Sequence, residues 1–235
     1  MRNSVKSFVF LFLALAVVPG AIQQARAAAD PYPAMAPLDQ YLIADQAAEI
    51  ALARSAAPAS VSDGATVMVL GPQGYTTAVQ GKNGFVCYVE RSWAHDTDNS
   101  EFWNPKDRAP NCFNAAAAAS IVPIYLMKTR LVLAGKSKAE IAQAIAAALD
   151  GGELPAVAPG AMCYMMSKEQ YLNDGVHSWH SHVMFYAAGD AEKAWGANLP
   201  GSPVIANHDP QSRVTTFMVV VHNWSDGTPA PPMEH

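Results

Sequence analysis

The chain reads as a single α+β domain whose sheet is mostly antiparallel, an N-terminal three-strand meander joined by C-terminal strands, with helices packed on one face. Three observations predict this. Apolar runs of strand length, punctuated by glycine pairs, fill residues 66–93. An Ala-rich apolar stretch with helix-cap signals fills 114–151, and shorter apolar runs recur after 161. Strands followed by helices and then strands again, with no fixed internal repeat, point to α+β architecture.

Residues 38–54 carry Leu38, Tyr41, Leu42, Ala48, Ile50 and Leu52 among spaced acids, an amphipathic helical pattern. Residues 56–64 have linker composition. The runs 66–70, 75–80 and 85–93 are separated by Gly71-Pro-Gln-Gly74 and Gly81-Lys-Asn-Gly84. Asn83-Gly84 supplies the positive-φ residues of a tight hairpin, and Pro72 suits the second position of a turn. Residues 92–113 are polar, aromatic and interrupted by Pro105 and Pro110, which predicts a long loop of the kind that carries function. In 114–135, Pro123 either kinks one helix or opens a second at its first turn. Ser137-Lys-Ala-Glu140 is a capping-box pattern, and the helix it opens stops at Gly151. Residues 161–166, 182–187 and 214–222 read as strands, whereas 168–173 and 191–196 read as short helices.

The ends bear on compartment. Arg2 and Lys6 precede an unbroken apolar run over 8–18, Pro19-Gly20 breaks it, and Ala25-Arg-Ala27 has the small-x-small pattern of a cleavage site. Residues 1–27 therefore read as a signal peptide, since the run is far shorter than the ~20 residues of a membrane span. A disordered segment is expected over 28–37, the globular domain over 38–224, and a flexible Pro-rich tail over 225–235. The expected location is periplasmic or secreted, with no transmembrane segment after cleavage. Removing Arg2, Lys6 and Arg26 from 15 basic residues against 20 acidic ones takes the formal charge from −5 to −8. That balance, without a Lys/Arg cluster, argues against nucleic acid as a partner.

The chain has three cysteines, all of which would face an oxidising environment. Cys87 and Cys112 bracket the long loop and are the first of three alternative pairings among which sequence does not choose. Cys163, set among apolar neighbours, is expected to be a free buried thiol.

Chemistry concentrates in His177-Ser-Trp-His180-Ser-His182, which holds three of the seven histidines. Strand alternation would put His180, His182, Met184 and Tyr186 on one face. His180 and His182 could then reach one divalent transition metal such as zinc, joined by His177 if the chain turns after Gly175 and by His222 at the end of the 217–221 run. Glu90 in the third strand would take a proton from metal-bound water, although a solvent-facing strand carboxylate is its plainer role. Met162, Cys163, Met165 and Met166 would suit copper(I) or serve as core filler. Asp96-Thr-Asp98-Asn-Ser-Glu101 lacks the glycine and distant glutamate of a calcium loop, and His95 beside it would join a site if the loop folds back over the sheet. Nucleophile-elbow, phosphate-loop and dinucleotide fingerprints are absent. Two functional readings stand. One is an exported domain with a histidine-centred polar site, metal-dependent and hydrolytic. The other is a non-catalytic exported module that binds a small molecule or an envelope protein through its aromatic loops.

Overall fold

A computed structural model describes residues 30–232; the expected signal peptide over 1–27 lies outside the described residues. One sheet of eight strands organises them. The strands are β1 (Thr66–Gly71), β2 (Gly74–Val79), β3 (Val86–Glu90), β4 (Ala109–Phe113), β5 (Met162–Met165), β6 (His182–Ala188), β7 (Val204–Asp209) and β8 (Val214–Val220). Their order is β2-β1-β3-β4-β5-β6-β8-β7, so the α+β reading with a mostly antiparallel sheet holds.

The expected N-terminal meander differs at one point. β1 and β2 pair antiparallel, but β3 lies on the other side of β1 and parallel to it, with Thr66 opposite Val86 and Val67 opposite Cys87. The Gly81–Gly84 link is therefore a crossing and not a hairpin. A Cβ on Gly81 would sit 2.2 Å from the backbone of Ala65 and Thr66, so only glycine lets the chain pass that close.

β4 fills the last part of the segment expected to be loop. Its Pro110 sits in a central strand, opposite Val89, where proline is seldom found. β7 was not foreseen; its Val-Ile-Ala run pairs with β8 along the sheet edge. The expected helix over 168–173 does not form.

The helices are α1 (Gln46–Arg54), α2 (Ala59–Ser62), α3 (Ala115–Ser120), α4 (Val122–Leu133) and α5 (Lys138–Asp150). Each longer one starts as its sequence dictates. Asp45 accepts a hydrogen bond from the Ala47 amide at 2.8 Å, Asn114 from the Ala117 amide at 2.9 Å, and Ser137 and Glu140 complete the capping box. Of Pro123's two options, the second is taken: it lies in the first turn of α4, after a break from α3 at Ile121.

These helices divide between the two faces of the sheet rather than sharing one. α1 packs Ile50, Leu52 and Ala53 against Val67, Cys87, Val89 and Cys112. On the opposite face α3, α4 and α5 bury Ile121, Ile124, Val132, Ile141 and Ile145 with Tyr88, Phe113 and Cys163. Both faces of the central strands are thus covered, which is why β3 and β4 are buried along nearly their whole length. Cys87 and Cys112 lie opposite each other on β3 and β4 and form a disulfide, and Cys163 is free and buried.

Both flanks of the domain make contacts. In the segment expected to be disordered, Tyr32 and Met35 pack on the core, and the Tyr32 hydroxyl donates to Asp174 at 2.5 Å. In the expected tail, the Ser225 amide donates to the Met166 carbonyl at 2.9 Å and Lys168 pairs with Asp226. Among the described residues no helix is long and apolar enough to cross a membrane.

Candidate functional site

Alternation along the sheet gives its α4-facing side an unusual composition. β3 offers Tyr88 and Glu90, β4 Asn111, β5 Cys163 and Met165, β6 His182, Met184 and Tyr186, β8 Thr216 and Met218, and β7 Asn207 and Asp209. Cross-strand register aligns them: Tyr88 stands opposite Asn111, Cys163 opposite Met184, and Met184 opposite Met218. Over this face lie α4 and residues 91–108, a long connection that does fold back over the sheet. Trp93 anchors its start, buried and donating through Nε1 to Thr129 Oγ1 of α4 at 2.9 Å. The Tyr41 hydroxyl donates to the Trp103 carbonyl at 2.8 Å, and paired backbone hydrogen bonds between Arg108 and Tyr171 close its end.

Two cavities on this face, among the described residues, are lined by ionisable side chains. The first, about 240 Å³, has a polar wall of Glu90, His95, Asp107 and Asn111 facing Met165, Trp179, Met184 and Met218. The second, about 340 Å³, is lined by Asp96, Asn99, Lys128, Asn207, Asp209 and Thr216 among others. Ala94, His95, Tyr125 and Met218 line both. His95 therefore stands where the two meet.

His95 Nε2 lies 2.8 Å from Asp107 Oδ2, with the imidazole about one-third exposed and the carboxylate buried. Burial pushes the imidazole towards the neutral form, but the hydrogen bond and charge of Asp107 outweigh it, so His95 is held above its ordinary 6.5. Burial raises Asp107 above its ordinary value against the pull of His95. The second carboxylate oxygen of Asp107, Oδ1, is buried and has no partner among the described residues. Buried polar atoms are almost always satisfied, so this oxygen is an unmet acceptor beside the cavity.

Glu90 is not the solvent-facing carboxylate that the bare strand suggested. It is 8% exposed, accepting from the Tyr88 hydroxyl at 3.2 Å and from Asn111 Nδ2 at 3.0 Å. Burial pushes its carboxyl up to about 8, leaving it mostly protonated at neutral pH. Asn111 continues inward to Cys163, whose thiol lies 3.1 Å from the Tyr186 hydroxyl. Burial pushes that thiol far above its ordinary range, consistent with an inert core cysteine.

The histidine cluster is dispersed. His177 adopts a positive φ of 53° and stacks, exposed, on Tyr171. His180 precedes β6 and meets the edge of Trp179. His182 is buried on the cavity wall, its Nδ1 2.7 Å from the His180 carbonyl, and burial pulls it down to about 4, so it is neutral. His222 is exposed and lines a different cavity near Pro231 and Pro232. Among the described residues no three His, Cys, Asp or Glu side chains form a group able to hold a metal ion. The expected four-histidine ligand set is thus corrected, because β6 takes His182 into the interior while a turn keeps His177 outside.

Of the residues flagged from sequence, the fold brings together Glu90, His95 and His182. Asp107 and Lys128 were missed; a lone aspartate in a polar loop and a lone lysine in an apolar helix look ordinary until their burial is known. No protein-family model, curated protein or solved structure matches this chain.

Proposed function

We propose that the protein is an exported enzyme carrying out general acid–base chemistry on a small organic molecule seated between the sheet and α4. In this reading His95 transfers the proton, Asp107 positions and charges it, and Glu90 serves as a protonated acid on the same wall. The observation that carries it is the His95–Asp107 pair at 2.8 Å opening onto a cavity that a second carboxyl, Glu90, also lines. Titratable groups perturbed by burial and pairing and gathered on one cavity wall are a usual mark of acid–base sites. Export is supported by the N-terminal pattern and by the Cys87–Cys112 disulfide, a bond favoured in oxidising compartments.

The cavity favours a compact ligand with one apolar side, to meet Met165, Met184, Met218 and Trp179, and one polar side, to meet Glu90, His95 and Asn111. The test is a thermal-shift screen of small amides, esters, hydroxy acids and carbonyl compounds on the purified full chain, with and without chelator. Hits are then followed by NMR for turnover. A ligand that stabilises the protein, is consumed, and is consumed ~10²–10⁴-fold more slowly by His95→Gln supports the reading. Ligands that stabilise wild type and His95→Gln alike, with no consumption, would point instead to a binding module, which the methionine-rich wall favours.

A further inference from the structure

Lys128 has an unusual position for a lysine. It is 2% exposed, on the face of α4 that also carries Ile124 and Tyr125 into the 340 Å³ cavity. Its Nζ makes only two long contacts, to the carbonyls of His95 at 3.2 Å and Ala94 at 3.4 Å, and it forms no salt bridge among the described residues. Lysine is almost never buried without a paired carboxylate. Carbonyl oxygens can accept from a neutral amine as well as from an ammonium. The ionisable groups facing it from surrounding elements are Asp96 and His95 of the covering loop, Glu90 of β3, Asp209 of β7 and Tyr125 of α4. Burial draws the amine below its ordinary 10.5 despite the attraction of Asp209, Asp96 and Glu90.

We propose that Lys128 is a nucleophilic amine that forms an imine with the carbonyl carbon of an aldehyde or ketone held in this cavity. The inference rests on the acid–base reading of the cleft and names its substrate class. The Nζ lone pair attacks the carbonyl carbon, forming the C–N bond, and the C=O π pair moves to oxygen, which takes a proton from His95. Nitrogen then passes one proton to the now neutral His95, which hands it to the carbinolamine oxygen so that water leaves as the nitrogen pair closes the C=N bond. The iminium returns its remaining N–H proton to His95, which ends protonated as it began. Amine and carbonyl become imine and water with no net redox change. His95, lining the same cavity, is the group placed to move both protons.

The test is reductive trapping of the full chain with propionaldehyde and sodium cyanoborohydride at pH 7, read by peptide mass mapping. The exposed Lys82 and Lys193 are internal references. At that pH an ordinary lysine is a free amine in only about one molecule in a few thousand. An amine drawn below its ordinary proton affinity is free more often than the references, so Lys128 should be alkylated at least ~10-fold faster than either, and Lys128→Met should lose that adduct alone. A merely buried lysine would react more slowly than both, and that result overturns the proposal without any variant having to fold. Lys128 left unlabelled while His95-dependent turnover persists overturns the imine and spares the acid–base reading. Rapid labelling with no His95-dependent turnover supports the imine and overturns that reading.

Discussion

Burial acts in opposite senses on two side chains of the first cavity, and folding should register both. His182 is held near 4 against an ordinary 6.5, so the unfolded chain binds its proton more tightly. Its contribution is complete above pH 6.5 and is lost as pH falls towards 4, by about 3 kcal/mol in all. Glu90 is held near 8 against 4.5, so the folded chain keeps the proton that the unfolded chain releases. Stability from that position is complete below pH 4.5 and declines as pH rises to 8, by about 5 kcal/mol. Urea unfolding across pH 4–8 should therefore show the acid-side loss shrink in His182→Gln and the alkaline-side loss shrink in Glu90→Gln. A Glu90→Gln profile parallel to wild type between pH 5 and 8 would rule out the protonated carboxyl on which the acid role depends. At this scale the sequence was only partly legible. It flagged Glu90 near a strand end, His95 beside the acidic loop and His182 in the histidine run, but residue type carries no measure of desolvation.

Among elements, the attachment of α1 to the sheet rests on a buried ion pair. Glu49 of α1 accepts from Arg91 Nη2 at 2.8 Å and from the Leu70 amide at 3.1 Å, while Arg91 Nε donates to the Tyr41 carbonyl at 2.7 Å. Arg91 directly follows β3, so this pair joins α1, β1, β3 and the segment before α1. Removing one partner leaves a buried charge unpaired, so Glu49→Ala should cost about 3–5 kcal/mol in chemical denaturation. Glu49→Gln, which keeps the acceptor oxygen, should cost less. Helix starts were readable because a cap needs only one side chain and the amides next to it, as at Asn114 and Ser137. Strand partners were not. β3 lies beside β1 because Gly81 permits a close crossing past Ala65, and nothing within 81–84 reports which chain it passes.

For the whole molecule, the Cys87–Cys112 disulfide joins the two strands that carry Glu90 and Asn111 and closes a loop of 25 residues containing His95 and Asp107. On the chain-entropy model this constraint contributes about 3 kcal/mol. Cys87→Ser/Cys112→Ser should lower stability by that amount, read as the shift in denaturation midpoint. Because β3 and β4 remain paired through five aligned residues, the variant should still fold. The fold class could be seen in the sequence, since hydrophobic period, caps and turns are properties of short stretches, whereas Cys87–Cys112 was one of three pairings the sequence left open. Only the tertiary structure decided the site. His95 meets Asp107 across twelve residues, Lys128 comes from a helix, and Asp209 from an edge strand that sequence did not reveal. The His177–His182 run, which looked most chemical, was separated by one turn and the start of one strand. Proximity along the chain is local information. Convergence in space and the burial that tunes each proton are set by how distant elements pack, and that physical difference moved the candidate site from a histidine run to a cleft.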